Sequence, residues 1–127
     1  MEPNNILILS PSRDTAAIIE GALADLGCNI FCCATPQQAI ELSSTLRPCL
    51  VIILRASTLL CGSELISRLR PTPQRLPTIY VISWQQSEQT ILSLLEMGVD
   101  QYMTFPICLS RLRAKASATL KKNSQYQ

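Results

Sequence analysis

Short apolar runs recur along the chain at 6–9, 30–33, 50–54, 79–82 and 102–105, and stretches with helical spacing separate them. Each run has strand length and strand-favouring residues. Ile18, Ile19, Ala22, Leu23 and Leu26 form the first helical stripe. Ile40, Leu42 and Leu46 make a sparser second one, and Leu65, Ile66 and Leu69 a short third. Ile91, Leu92, Leu94 and Leu95 form the fourth; Leu109, Leu112, Ala116 and Leu120 the fifth. The runs at 50–54 and 79–82 are apolar at successive positions, which predicts strands covered by helices on both faces.

The turn residues agree with this division. Asp14 is the expected N-cap of the first helix, with Gly27 just past its end. Thr35-Pro36 places a capping hydroxyl before a proline at the first helical position. Pro48 is expected to stop the second helix, Pro71 and Pro73 the third, and Gly98 follows the fourth. Five strand–helix units in 127 residues leave room for nothing else. They predict one doubly wound α/β domain of flavodoxin-like (βα)5 type, a parallel sheet in the order 2-1-3-4-5. Residues 1–122 form this domain, and 123–127 are a polar tail that could begin a linker to an output domain.

Composition narrows the chemistry. With 47% hydrophobic and 16% charged residues the chain is expected to be a soluble globule, and no apolar run is long enough to span a membrane. The six cysteines show no CxxC spacing and lie mostly in apolar segments, which predicts buried, reduced thiols and a cytoplasmic protein. There is no histidine, so Ser-His and Cys-His nucleophile activation is excluded and the usual zinc donor sets are broken. Charge is unevenly placed: residues 1–100 carry a net −3, and residues 101–127 a net +5 with no acid. That basic end would suit nucleic acid or an acidic partner, or form a solvated helix face, the simpler reading.

The first strand ends in the loop "SPSRDT" at 10–15, at the sheet edge where doubly wound proteins place their chemistry. The segments "ILILSPS", "RPCLVIILRAS", "CGSELISRLR", "LPTIYVIS" and above all "LLEMGVDQYMTFP" resemble the receiver domain of bacterial two-component response regulators. The resemblance runs from Asn4 to about Lys122, and Gly98, Asp100, Tyr102 and Pro106 all fall where that family's pattern places them. It implies a site that moves a phosphoryl group onto an aspartate after strand 3. In that site an acidic pair after strand 1 holds Mg²⁺, and a hydroxyl after strand 4 and a lysine before the proline of strand 5 contact the phosphoryl oxygens.

The charged members of that site are missing from this sequence. The acidic pair falls on Ser10 and Pro11, the phosphoacceptor on Leu54 and the lysine on Phe105. Ser83, Tyr102 and Pro106 keep the hydroxyl, the aromatic and the proline, and the resemblance implies a cis bond at Phe105-Pro106. The expectation is a degenerate pocket plugged by apolar side chains, a pseudo-receiver with no enzyme activity, metal or cofactor. Tyr102 is then either the family's rotating aromatic, turned inward, or a strand residue with its hydroxyl in water.

Function is accordingly expected in surfaces. The resemblance implies signal output and dimerisation through the fourth helix, fifth strand and fifth helix. This face carries Ile91, Leu94 and Leu95 beside Arg111 and Lys115, with Glu88, Glu96 and Asp100 as opposite charges across a two-fold axis. Alternatively, Leu94 and Leu95 pack inward. The expected partner is another protein or a second copy, with nucleic acid reached only through an output domain outside this chain. A rival reading takes the Ser10 to Thr15 loop as a flavodoxin-type cradle for the phosphate of FMN, with Trp84 stacking on the flavin. Arg13 stands in that loop where the cradle wants glycine.

Overall fold

The computed structural model describes residues 4–55, 66, 68–69, 77–83, 88–96 and 98–125. Its elements run β1 (Asn5–Leu9), α1 (Arg13–Leu23), a 3-10 turn (Ala24–Leu26), β2 (Asn29–Cys33), α2 (Pro36–Leu46) and β3 (Leu50–Arg55). They continue as β4 (Thr78–Ser83), α3 (Glu88–Glu96), β5 (Gln101–Thr104) and α4 (Leu109–Gln125). Of the third apolar stripe, Ile66, Arg68 and Leu69 are helical, while Leu65, Pro71 and Pro73 lie outside the described residues. The fourth and fifth predicted helices are therefore α3 and α4.

The five strands form one parallel sheet in the order β2-β1-β3-β4-β5. Alternation along the strands sorts the core into two layers. On one face Ile6, Ile8, Leu50, Ile52, Leu54, Tyr80, Ile82 and Met103 meet Ile19 and Leu23 of α1 and Leu112, Ala116 and Leu120 of α4. On the other, Leu7, Leu9, Val51, Ile53, Ile79 and Val81 meet Ala39 of α2, Ile66, Leu69 and Val99. Burying each large apolar side chain is worth roughly 1.5–3 kcal/mol, so these two layers hold the sheet edge on which the candidate site stands.

The caps that set the helix starts differ in one place from expectation. Ser12, not Asp14, caps α1: its Oγ accepts from the Thr15 N–H at 3.3 Å, and Asp14 sits in the first turn. A carboxylate there still favours the helix through the dipole, so the position is acidic for another reason. Thr35 caps α2 by accepting from the Gln38 N–H at 3.2 Å, with Pro36 first in the helix. Gly27 (φ 75°) closes the 3-10 turn, and Arg47 (φ 48°) ends α2 just before Pro48.

Two expectations of burial fail. Ile18 is 57% exposed, because the helix turns Ile19 and Leu23 into the core and leaves the adjacent position outside. Among the described cysteines only Cys49 is buried; Cys28 and Cys33 are half-buried, and Cys32 and Cys108 are exposed. β2 is an edge strand, so an apolar run there does not guarantee two covered faces. All five described thiols are free, and Cys61 lies outside the described residues.

Candidate functional site

Strand register brings the predicted pocket residues to one edge. Leu9 pairs with Ile53, Leu54 with Ile82 and Ser83 with Thr104, so Ser10, Leu54, Ser83 and Phe105 occupy neighbouring carboxyl ends. Leu54 is buried in the α1/α4 layer, and half-buried Phe105 packs against the same cluster. The Phe105 N–H donates to the Ser83 carbonyl at 3.2 Å, extending the β4–β5 ladder by one residue. The Phe105-Pro106 bond is cis. Leu54 and Phe105 thus belong to one apolar layer.

The loop after β1 is closed on itself. Ser10 is buried, and its Oγ donates to the Ser12 carbonyl at 2.8 Å and accepts from the Ser12 N–H at 3.1 Å. Its own N–H donates to the Cys33 carbonyl at 3.0 Å. Ser12 Oγ is engaged by both the N–H and the Oγ1 of Thr15. Pro11 and Asp14 are exposed. Among the described residues Arg47 is the one non-glycine with positive φ, so the loop at 10–15 contains no left-handed residue from which a nest of N–H groups could be built. The hydroxyls a phosphate cradle would need are engaged in the turn and the cap, and Trp84 lies outside the described residues. Among the described residues no group of three or more Cys, Asp or Glu side chains converges to hold a metal ion.

Beside this edge lies the expected output face. Leu92 and Leu95 of α3 are 57% and 45% exposed, and Ile91 is half-buried. Leu95 therefore points outward, contrary to the inward alternative. Leu94 belongs to α3. Glu88 and Glu96 are exposed on the same helix, Arg111 is exposed on α4 and Lys115 is partly so. Asp100 has a second role: its Oδ2 accepts from the Ile79 N–H at 2.8 Å while its N–H donates to the Ile79 carbonyl at 2.8 Å. It pins the turn before β5 to the start of β4, and Gly98 (φ 105°) makes that turn. Tyr102 packs against the α2 layer with its hydroxyl buried and, among the described residues, without a hydrogen-bond partner. A hydroxyl resting in water is thereby excluded.

No family model matches the chain. It is 27% identical over 122 residues to the response regulator MprA of Mycobacterium sp. (strain KMS), covering 96% of this chain and 53% of that protein. It is 22% identical over 118 residues to the alkaline phosphatase synthesis transcriptional regulatory protein PhoP of Bacillus subtilis, covering 93% and 49%. The chain thus spans about half the length of the curated relatives it matches. A crystal structure of a two-component response regulator from Clostridium difficile superposes with a TM-score of 0.80 at 25% identity, covering 93% of this chain and 96% of that one. The receiver domain of the Francisella response regulator 1452 gives 0.81 at 20%, covering 96% and 99%. The chain carries the receiver fold.

On that fold, two anchors of α4 escaped sequence reasoning. Tyr80, buried on β4, donates to the Lys115 carbonyl at 2.9 Å and shares a hydrogen bond with Thr119 Oγ1 at 2.6 Å. Burial pushes its phenol above the usual range, and the Thr119 contact opposes this. From the other side Arg113 forms a two-pronged ion pair with Asp25, and its Nη1 also donates to the Ala22 carbonyl at 3.0 Å. This pairing holds the Asp25 carboxyl below its ordinary range and raises the guanidinium. A polar atom inside an apolar strand was the available signal for Tyr80. Asp25 and Arg113 are 88 residues apart, and nothing in either segment announces the other.

Proposed function

We propose that this receiver-fold chain is a regulatory module of two-component signalling that works without taking up phosphate. It acts through contacts with a protein partner or a second copy at the face of α3, β5 and α4. The observation that carries this reading is the residue set at the sheet edge. Ser10 and Pro11 offer no carboxylate for Mg²⁺, Leu54 has no nucleophile and Phe105 no ammonium. A buried leucine and a packed phenylalanine favour one closed arrangement, so the signal is carried by surface contacts. The exposed Leu92 and Leu95, framed by Glu88 and Glu96 and lying beside β5, offer apolar area with charge around it, as a protein interface needs. Control of transcription is the setting that the name of the Bacillus subtilis relative supports, and we place the module in the cytoplasm, with DNA binding assigned to another part of a longer regulator.

The test is an amide NMR spectrum with and without Mg²⁺ and beryllofluoride, the phosphoryl mimic. Unmoved peaks around Ser10, Leu54 and Ser83 are expected. Shifts clustered there would reveal an anion site and overturn the reading.

A further inference from the structure

Cations and small side chains make up the exposed surface of α4 among the described residues. Arg111, Lys115 and Lys122 stand at i, i+4 and i+11, within one narrow arc of the helix, in a row about 16 Å long at 1.5 Å per residue. Lys121 flanks the row, and the rest of the exposed arc is Ser110, Ala114 and Ala118. The opposite side carries Leu112, Ala116 and Leu120 in the core. Arg113 is committed to Asp25, whereas among the described residues none of the other four cations is paired with an acid. There is no acid anywhere from 101 to 127.

We propose that this face is a docking surface for the phosphate backbone of a nucleic acid, bound without regard to base sequence. This departs from the expectation that nucleic acid is reached only through another domain. The protein contact proposed above centres on the leucines of α3; against a protein occupant of the row itself stands the absence of aromatic anchors, since interfaces draw most of their energy from a few buried Trp, Tyr and Arg side chains, and here the spaces between the cations are filled by alanine and serine. Phosphate contacts need only charge, hydroxyls and close approach, which small residues permit. A second copy paired symmetrically through this face does not absorb the row either. In that pairing each copy offers Glu88 and Glu96 on α3, with Asp100 turned back onto Ile79, against four cations on α4, while exposed Asp14, Glu20 and Glu41 lie on α1 and α2. A duplex, with one charge per about 1.7 Å of axis, supplies anions along the whole row. Tyr80 and Arg113 brace α4 from its two sides, so the row is held in place before any ligand arrives.

The experiment is fluorescence anisotropy of the intact chain with two labelled duplexes of unrelated sequence, at several salt concentrations. Both duplexes should bind equally, with log K falling against log salt at a slope of about −3 to −4. The variant R111Q/K115Q/K122Q, checked for an unchanged thermal melt, should lose at least about tenfold in affinity and about 3 units of slope. If that variant does not fold, K121Q/K122Q should still lower the slope by about 2. No binding at about 50 mM salt, or binding that the variants do not weaken, would overturn the proposal. So would polyaspartate binding as tightly as the duplex, or self-association in sedimentation that depends on the same residues in place of DNA binding.

Discussion

Tyr102 holds its hydroxyl inside the protein, among apolar side chains of the α2 layer, with nothing among the described residues to bond it. An unsatisfied buried donor costs about 1–3 kcal/mol. Tyr102→Phe is therefore expected to raise stability by about 1 kcal/mol in urea unfolding, where loss of a buried hydroxyl that had a partner would lower it. The thiols make a second expectation at this scale. Burial pushes Cys33 and Cys49 from 9.0 to about 11. Cys108, exposed at the start of α4, is lowered by its hydrogen bond to Ser110 and by the backbone at Arg111. Alkylation at about pH 8 should thus mark Cys108 first and leave Cys33 and Cys49 nearly untouched. The same shifts fix a sign for stability. The folded state keeps protons on Cys33 and Cys49 that the unfolded state releases, so their effect is nil below the ordinary thiol value of 9.0 and lowers stability as pH climbs toward 11. Stability measured by equilibrium unfolding should decline across that range, and less steeply in Cys49→Ala.

At the scale of elements, α4 is defined by how it is held. Three core side chains seat it, Tyr80 bonds its backbone at Lys115, and Arg113 ties it to α1. Tyr80→Phe should cost about 1 kcal/mol, since the Lys115 carbonyl keeps the Thr119 hydroxyl at 3.1 Å, and should speed amide exchange in the second half of the helix. Most elements were legible in the sequence because their signals are local. Period-two alternation in β3 and β4 was hidden by burial on both faces, yet uniform apolarity carried the same information. The Thr35-Pro36 start was readable because cap and proline are adjacent. The α1 cap was misassigned because Ser12 and Asp14 are both good capping residues, and backbone dihedrals decide between them. Edge position decided the exposure of Cys32, and a strand does not announce in its own sequence whether it has one neighbour or two.

For the whole molecule, the placing of Ser10, Leu54, Ser83 and Phe105 at neighbouring strand ends was legible, since register depends on the alternating layers that the apolar runs specify. What the surfaces do was less legible, because exposure of a helix face depends on what packs beside it. Leu92 and Leu95 are the largest such exposure described. Replacing both with glutamate should abolish any self-association seen by sedimentation velocity without lowering the melting temperature, as neither side chain is buried. A partner-free monomer in the parent chain would instead direct the search to another protein.

Leu54 has a consequence in time. An aspartyl phosphate carries its own clock, because the acyl phosphate hydrolyses and the message lapses with it. A buried leucine forms no such bond and has nothing to lose to water. If the chain signals as proposed, the duration of its message is the lifetime of the polypeptide, set by synthesis and degradation, and its strength is the number of copies present.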